Sequence, residues 1–232
     1  MGPLSESLQR LNERVCAAAR RSGRDPAEVT VVAVTKTVPL ALVNEAAAAG
    51  LKDFGENRVQ EAKAKIPAVT VGVRWHLIGH LQTNKVKDAV ALFDLIQSVD
   101  SFRLAAEISR EAGRMGKIRD VLIQVSTTDE PQKYGCSPVE LEDLAGRIAE
   151  LPAIRLRGLM TIGPLTEDVT QIRTAFRSLK HMFDRLAQAR FGRETMTYLS
   201  MGMSGDFEIA LQEGANMLRI GTAIFGSRKG DR

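Results

Sequence analysis

Apolar positions along this chain follow two alternating rhythms. Leu4, Leu8, Leu11 and Val15 recur at helical intervals and predict an amphipathic helix over residues 4–20. Gly23-Arg24-Asp25-Pro26 breaks it. The run Val29-Thr30-Val31-Val32-Ala33-Val34-Thr35-Lys36 is β-branched and almost continuously apolar, the pattern of a strand buried on both faces of a parallel sheet. A helical stretch with Ala41, Leu42, Val43 and Ala46 follows Pro39 and ends at Gly50. Short apolar runs then recur at Lys52–Glu56, Arg74–Gly79, Leu95–Val99, Asp120–Val125, Leu156–Ile162, Thr197–Met201 and Met217–Gly221, which with the first makes eight predicted strands.

The segments between them read as helices. Ser137-Pro138-Val139-Glu140 has the spacing of a capping box. Asp100 or Ser101 is placed to cap the helix carrying Leu104, Ala105 and Ile108. Ile172, Ala175, Phe176, Leu179, Phe183 and Leu186 make one apolar stripe. Eight strands alternating with helices predict an α/β fold, a single (β/α)8 TIM barrel with an extra N-terminal helix. An open doubly wound sheet is the rival. It favours a glycine-rich turn after the first strand, and Thr35-Lys36-Thr37-Val38-Pro39 contains no glycine.

Composition narrows the function classes. The 232 residues are 44% hydrophobic and 26% charged, ordinary globular values. Two cysteines, Cys16 and Cys136, with no C-x-x-C and no Cys/His cluster, exclude a zinc ribbon or a disulfide scaffold and suit a reducing compartment. No metal site is expected: His76 and His80 straddle a strand end rather than share a helix face. The net charge of +4 is a mild excess, suited to an anionic small molecule. Aromatics are only 5% and the basic residues are scattered among acids, which argues against nucleic acid. No apolar run approaches the ~20 residues of a spanning helix. The first residues lack a basic stretch leading into an apolar one. A cytoplasmic protein without membrane contact is expected. No long apolar edge is visible for assembly, so a monomer is expected.

In a barrel of this type the functional groups sit at the C-terminal ends of the strands. Lys36 closes a run free of charge. A lysine amine that is partly desolvated beside other cations loses its proton more readily and then attacks an aldehyde to give a Schiff base. Ser200-Met201-Gly202-Met203-Ser204-Gly205-Asp206 combines hydroxyls, glycines and a helix start, the ingredients of an anion site. Arg219-Ile220-Gly221-Thr222 ends the last strand and adds donors for the same anion. Closure of the barrel brings the first strand beside the eighth, so a lysine and two donor loops meet on one rim. This suits a phosphorylated aldehyde.

These residues carry a resemblance. Val32-Ala33-Val34-Thr35-Lys36, Phe54-Gly55-Glu56-Asn57, Trp75-His76-Leu77-Ile78-Gly79-His80-Leu81-Gln82-Thr83-Asn84-Lys85, Gly158-Leu159-Met160-Thr161, Ser200-Met201-Gly202-Met203-Ser204 and Arg219-Ile220-Gly221 closely resemble the pyridoxal phosphate homeostasis protein family, over about residues 4 to 228. That family is similar to the barrel domain of alanine racemase. The resemblance implies a single pyridoxal 5′-phosphate (PLP)-binding barrel domain over residues 1–232. It implies PLP held as an internal aldimine on Lys36, with Ser200, Gly221 and Thr222 at the phosphate, Arg219 facing the pyridine nitrogen, and Asn57 and Met201 lining the pocket. Lys133 falls where the family has a mobile basic loop. His76 and His80 lie in the signature without an assigned role.

The resemblance also implies a non-catalytic protein in intracellular PLP homeostasis, a carrier or buffer whose partners are PLP and PLP-dependent apoenzymes. Arg219 agrees with this. Most PLP enzymes keep the ring nitrogen protonated with a carboxylate, and a guanidinium disfavours that proton. Racemases with an arginine there add a tyrosine base from another domain or subunit. This sequence has two tyrosines, Tyr134 and Tyr198, and no appended domain is visible. No catalytic residue is therefore assigned. The alternatives are a PLP-dependent amino-acid racemase or decarboxylase, and a cofactor-free Schiff-base aldolase on the same barrel. Cys136, near the Lys133 loop, is read as exposed and oxidisable.

Overall fold

A computed structural model describes residues 2–128, 134–188 and 196–227. Eight parallel strands close into a barrel in sequence order: β1 Thr30–Val34, β2 Asp53–Glu56, β3 Arg74–Leu77, β4 Leu95–Val99, β5 Arg119–Gln124, β6 Ile154–Met160, β7 Tyr198–Ser200 and β8 Met217–Ile220. The ring closes where Val32 of β1 pairs with Arg219 of β8 and Ala33 with Ile220. The rival open sheet is excluded.

Around the barrel run α1 Pro3–Arg21, α2 Leu40–Ala48, α3 Val59–Lys65, α4 Val86–Leu92, α5 Phe102–Arg114, α6 Leu141–Ala149, α7 Val169–Leu186, α8 Phe207–Gln212 and α9 Thr222–Phe225. The extra helix α1 buries Leu4, Leu11, Val15, Ala18 and Ala19 and packs on α8 and α9. Its Arg14 stacks over Phe207, 4.7 Å from the ring centre, and pairs with Glu208. No helix among the described residues is long and apolar enough to cross a membrane.

Two apolar layers result from strand alternation. Outward residues join the helices in the main core, with Phe54, Phe93, Phe176 and Phe207 fully buried. Inward residues Val32, Leu95, Leu122, Met160 and Met217 fill the barrel. Gly55 makes room for that filling: a Cβ there would lie 3.0 Å from Val32 Cγ1 and 3.1 Å from Ile78 Cδ1.

Local signals were realised unevenly. Ser101 caps α5, accepting from the Leu104 N–H at 3.4 Å. The Ser137 N–H donates to Glu140 Oε2 at 3.3 Å, but Ser137 Oγ accepts from the Val139 N–H instead of Glu140, so the pair closes a turn and α6 starts only at Leu141. Asp168, not singled out from sequence, caps α7 through the N–H groups of Thr170 and Gln171, and those bonds hold its carboxyl below the usual carboxylate range. Cys136 corrects an expectation. It is buried, and desolvation, with Glu140 and Asp100 nearby, pushes its thiol up to about 12.

Candidate functional site

β1 stops at Val34 although the apolar run continues, because the Val38 N–H turns back to the Thr35 carbonyl at 2.9 Å. Strand alternation from Val32 and Val34 carries Lys36 to the mouth side of the barrel, where it is half-buried. The next residue, Thr37, has φ +58°, alone among the described non-glycine residues in the left-handed region.

A clamp holds this turn. Glu56, at the end of β2 and fully buried, accepts from Thr35 Oγ1 at 2.6 Å and pairs with Lys65. Lys65 Nζ also donates to the Thr35 carbonyl at 2.7 Å. Glu61 accepts from the Thr37 N–H at 3.2 Å. Helix α3 therefore supplies both a cation and an anion to the lysine turn.

On the neighbouring rim, the N–H groups of Gly221 and Ala223 both donate to Ser204 Oγ at 3.2 Å. Two backbone donors converging on one oxygen form a cradle for an anionic oxygen. Gly202, just before, has φ +92°, and a Cβ there would lie 2.6 Å from Ala210 Cβ. Asp206 caps the loop by accepting from the Met203 N–H. Its burial raises its carboxyl above the usual range, against the Met203 hydrogen bond and the charge of Arg219.

Arg219 is buried inside the barrel. Its Nη1 donates to Ser200 Oγ and its Nη2 to the Thr161 carbonyl, each at 2.7 Å. Desolvation pulls its pKa down to about 10, opposed by Asp206, so it is still a cation at neutral pH. Ser200 in turn donates to Gln97 Oε1 at 2.6 Å.

The structure thus brings Lys36, Asn57, Arg219, Gly221 and Thr222 to the C-terminal rim, with Asn57 half-buried after β2 and Thr222 exposed. The other two expected residues are placed differently, Ser200 directly against Arg219. Ser200 is fully buried and committed to Gln97 and Arg219, while Ser204 faces the backbone donors. Met201 turns its side chain outward into the main core. The two signature histidines part company as well. His76 lies inside the barrel against Asp53 and Gln97, and His80 stacks on Tyr134 with centroids 3.8 Å apart. Lys133 lies outside the described residues.

Sequence reasoning missed Glu56, Lys65, Asp53, Gln97 and the role of Ser204. A usable signal existed for some of them. His76, Gln97, Ser200 and Arg219 are each the third residue of an otherwise largely apolar strand, a recurrence of polar positions that the sequence displays. Nothing in the sequence pairs Lys65 with Glu56.

Comparison with known proteins adds three findings. Residues 7–229 match the family described as alanine racemase, N-terminal domain. The pyridoxal phosphate homeostasis protein of Aquifex aeolicus is 42% identical over 225 residues, covering 97% of this chain and 98% of its own. PipY of Synechococcus elongatus, solved with PLP bound, superposes with a TM-score of 0.82 at 36% identity, covering 96% of this chain and 100% of that one.

Proposed function

This chain belongs to the pyridoxal phosphate homeostasis protein family, built on the alanine racemase N-terminal domain, and from that premise we propose that it binds PLP and buffers or delivers it without efficient turnover. The observation that carries the reading is the meeting of β1 and β8. It sets the Lys36 turn beside the Ser204–Gly221–Ala223 cradle and Arg219.

The residues fit the cofactor. Ser204 Oγ, the N–H groups of Gly221 and Ala223 and the Thr222 hydroxyl suit a phosphate dianion. Arg219 suits the pyridine nitrogen, and Asn57 borders the mouth. Lys36 Nζ condenses with the aldehyde to an imine, releasing one water. PLP supplies a reactive aldehyde and, when its ring nitrogen is protonated, an electron sink. Arg219 works against the second property. A guanidinium beside that nitrogen disfavours its proton, so the site stores the aldehyde rather than stabilising a carbanion.

The tyrosines support the same reading. Tyr198 begins β7 at the end of the barrel opposite the mouth, 6.0 Å from the Arg157 guanidinium. Tyr134 is 56% exposed and lies flat on His80. Neither has the enclosed placement of a general base. Release to PLP-dependent apoenzymes and a monomeric state belong to this proposal.

Absorbance of the purified protein with PLP, before and after borohydride, tests it, with the modified peptide mapped by mass. Reduction is expected to fix the cofactor on Lys36, and Lys36→Ala to abolish the imine band. An undiminished band in that variant rejects the assignment. Incubation with single amino-acid enantiomers is expected to leave them unchanged, and racemisation or decarboxylation at enzymatic rates would establish the alternative.

A further inference from the structure

A polar chain runs through the barrel interior and is not used by the function proposed above. His76 Nε2 lies 2.9 Å from Asp53 Oδ1, and His76 Nδ1 lies 2.9 Å from Gln97 Nε2. Gln97 Oε1 accepts from Ser200 Oγ, which accepts from Arg219 Nη1. At the far end Arg74, half exposed at the start of β3, donates to Asp53 Oδ2 at 2.9 Å. His76, Gln97, Ser200 and Arg219 are all buried.

Donor and acceptor chemistry gives this chain one direction. An amide NH2 can only donate, so His76 Nδ1 must accept. The ring proton then sits on Nε2 and points at the Asp53 carboxylate, which can only accept. Ser200 receives from Arg219 and passes its own hydrogen to the Gln97 carbonyl. Every link therefore points from Arg219 to Asp53. The reverse arrangement fails. A proton on Nδ1 would confront the Gln97 NH2. Turning the amide would aim that NH2 at Ser200, whose hydrogen would lose its acceptor in a site without water access, a cost of about 1–3 kcal/mol for such groups in general.

We propose that His76 and Gln97 are positioning residues for Arg219, fixing the rotation of its guanidinium and so its contact with the pyridine nitrogen of bound PLP. The proposal rests on the reading of Arg219 as the ring-facing residue. Packing alone does not call for this chain. The barrel interior is otherwise filled by Val32, Leu95, Leu122, Met160 and Met217, and an apolar filling would serve stability as well. What a one-way chain adds is a single allowed orientation, with each bond polarised by the next in a low-dielectric interior. It also ties the cofactor's ring to the Asp53–Arg74 pair at the opposite end of the barrel.

The test uses the full chain labelled with ¹⁵N-histidine, free and with PLP. His76 is expected to show a bare Nδ1 and a protonated Nε2, and Gln97→Glu to put a second proton on Nδ1. Ser200→Ala, which removes one oxygen, and Gln97→Leu cut the chain. Each is expected to release the Arg219 Nη protons into fast exchange, shift the imine absorbance and raise the PLP dissociation constant about tenfold, the scale of one buried charge-assisted bond. His76→Gln, which keeps a donor and an acceptor, is expected to lose less affinity than either cut variant. A proton on Nδ1 in the unsubstituted protein overturns the proposal. So does an unchanged absorbance and dissociation constant in both cut variants. If Gln97→Leu does not fold, Ser200→Ala decides. If the unsubstituted protein takes up no PLP, the functional reading fails, while the His76 and Arg219 signals of the free protein still judge the chain.

Discussion

Lys65→Met isolates the clamp on the lysine turn. Glu56 has no exposed surface, and the Lys65 side chain is 11% exposed, so the pair is shielded from water. Removing one partner of a buried pair costs roughly 3–5 kcal/mol because the other charge is left uncompensated. Two features place this case near the lower end. Thr35 Oγ1 keeps its bond to Glu56, and a methionine can follow the path of the lysine stem. A loss of about 3 kcal/mol is expected, a fall of ~1 M in the urea midpoint for a slope of ~3 kcal/mol/M. Lys65→Met with Glu56→Leu removes both charges, and the double variant is expected to recover most of the loss. Urea unfolding of the single and double variants measures this, with the slope checked for constancy. A cost below about 1 kcal/mol for Lys65→Met, or a double variant as unstable as the summed singles, refutes the reasoning. The same single variant is expected to slow borohydride-trapped PLP attachment, since Lys65 also holds the Thr35 carbonyl next to Lys36.

Other outcomes follow from particular contacts. Gly158 has φ +148° and an added Cβ would lie 1.8 Å from the Tyr198 carbonyl oxygen. Gly158→Ala is therefore expected to cost more than about 4 kcal/mol or to abolish soluble expression, whereas Gly72→Ala, with nothing within 4 Å, should melt within about 0.5 kcal/mol of the parent. Ser101→Ala removes the cap of α5 and is expected to cost about 1 kcal/mol in urea unfolding. With its thiol pushed up to about 12, Cys136 should be alkylated far more slowly than Cys16 at pH 8, its thiolate fraction being roughly one in ten thousand. Folding favours the protonated Cys136, so its contribution to stability is complete below ~8.5 and is lost as pH rises toward its folded value; a Cys136→Ala variant should lack that alkaline decline in a melt series.

The barrel was legible because all eight apolar runs coincide with strands, and closure follows from alternating them with helices. Strand ends were less so. The first run continues to Lys36, and the Thr35 N–H still reaches the Gly55 carbonyl, but the chain then turns as the Val38 N–H donates back to Thr35, a turn the Glu56–Lys65 clamp holds. The serine nearest the cradle could not be chosen from Ser200-Met201-Gly202-Met203-Ser204 by pattern. Alternation turns Ser200 into the barrel, and only the turn after Gly202 swings Ser204 onto Gly221 and Ala223. The polar positions of His76 and Gln97 stand out in their apolar strands, but which partner each meets was not legible, because a strand enclosed on both faces has no solvent side to say which way they point.

The seam between β1 and β8 has a consequence for assembly. The Lys36 turn comes from the first strand and the Ser204–Gly221–Ala223 cradle from the last two, so a molecule touching both spans the junction where the ring is completed. Such a molecule finds its two half-sites together only after the chain from β1 through α9 has emerged and wrapped around. Occupancy then reports finished closure and acts as a latch across it. At a hundred times its dissociation constant it would tighten the ring by about 2.7 kcal/mol.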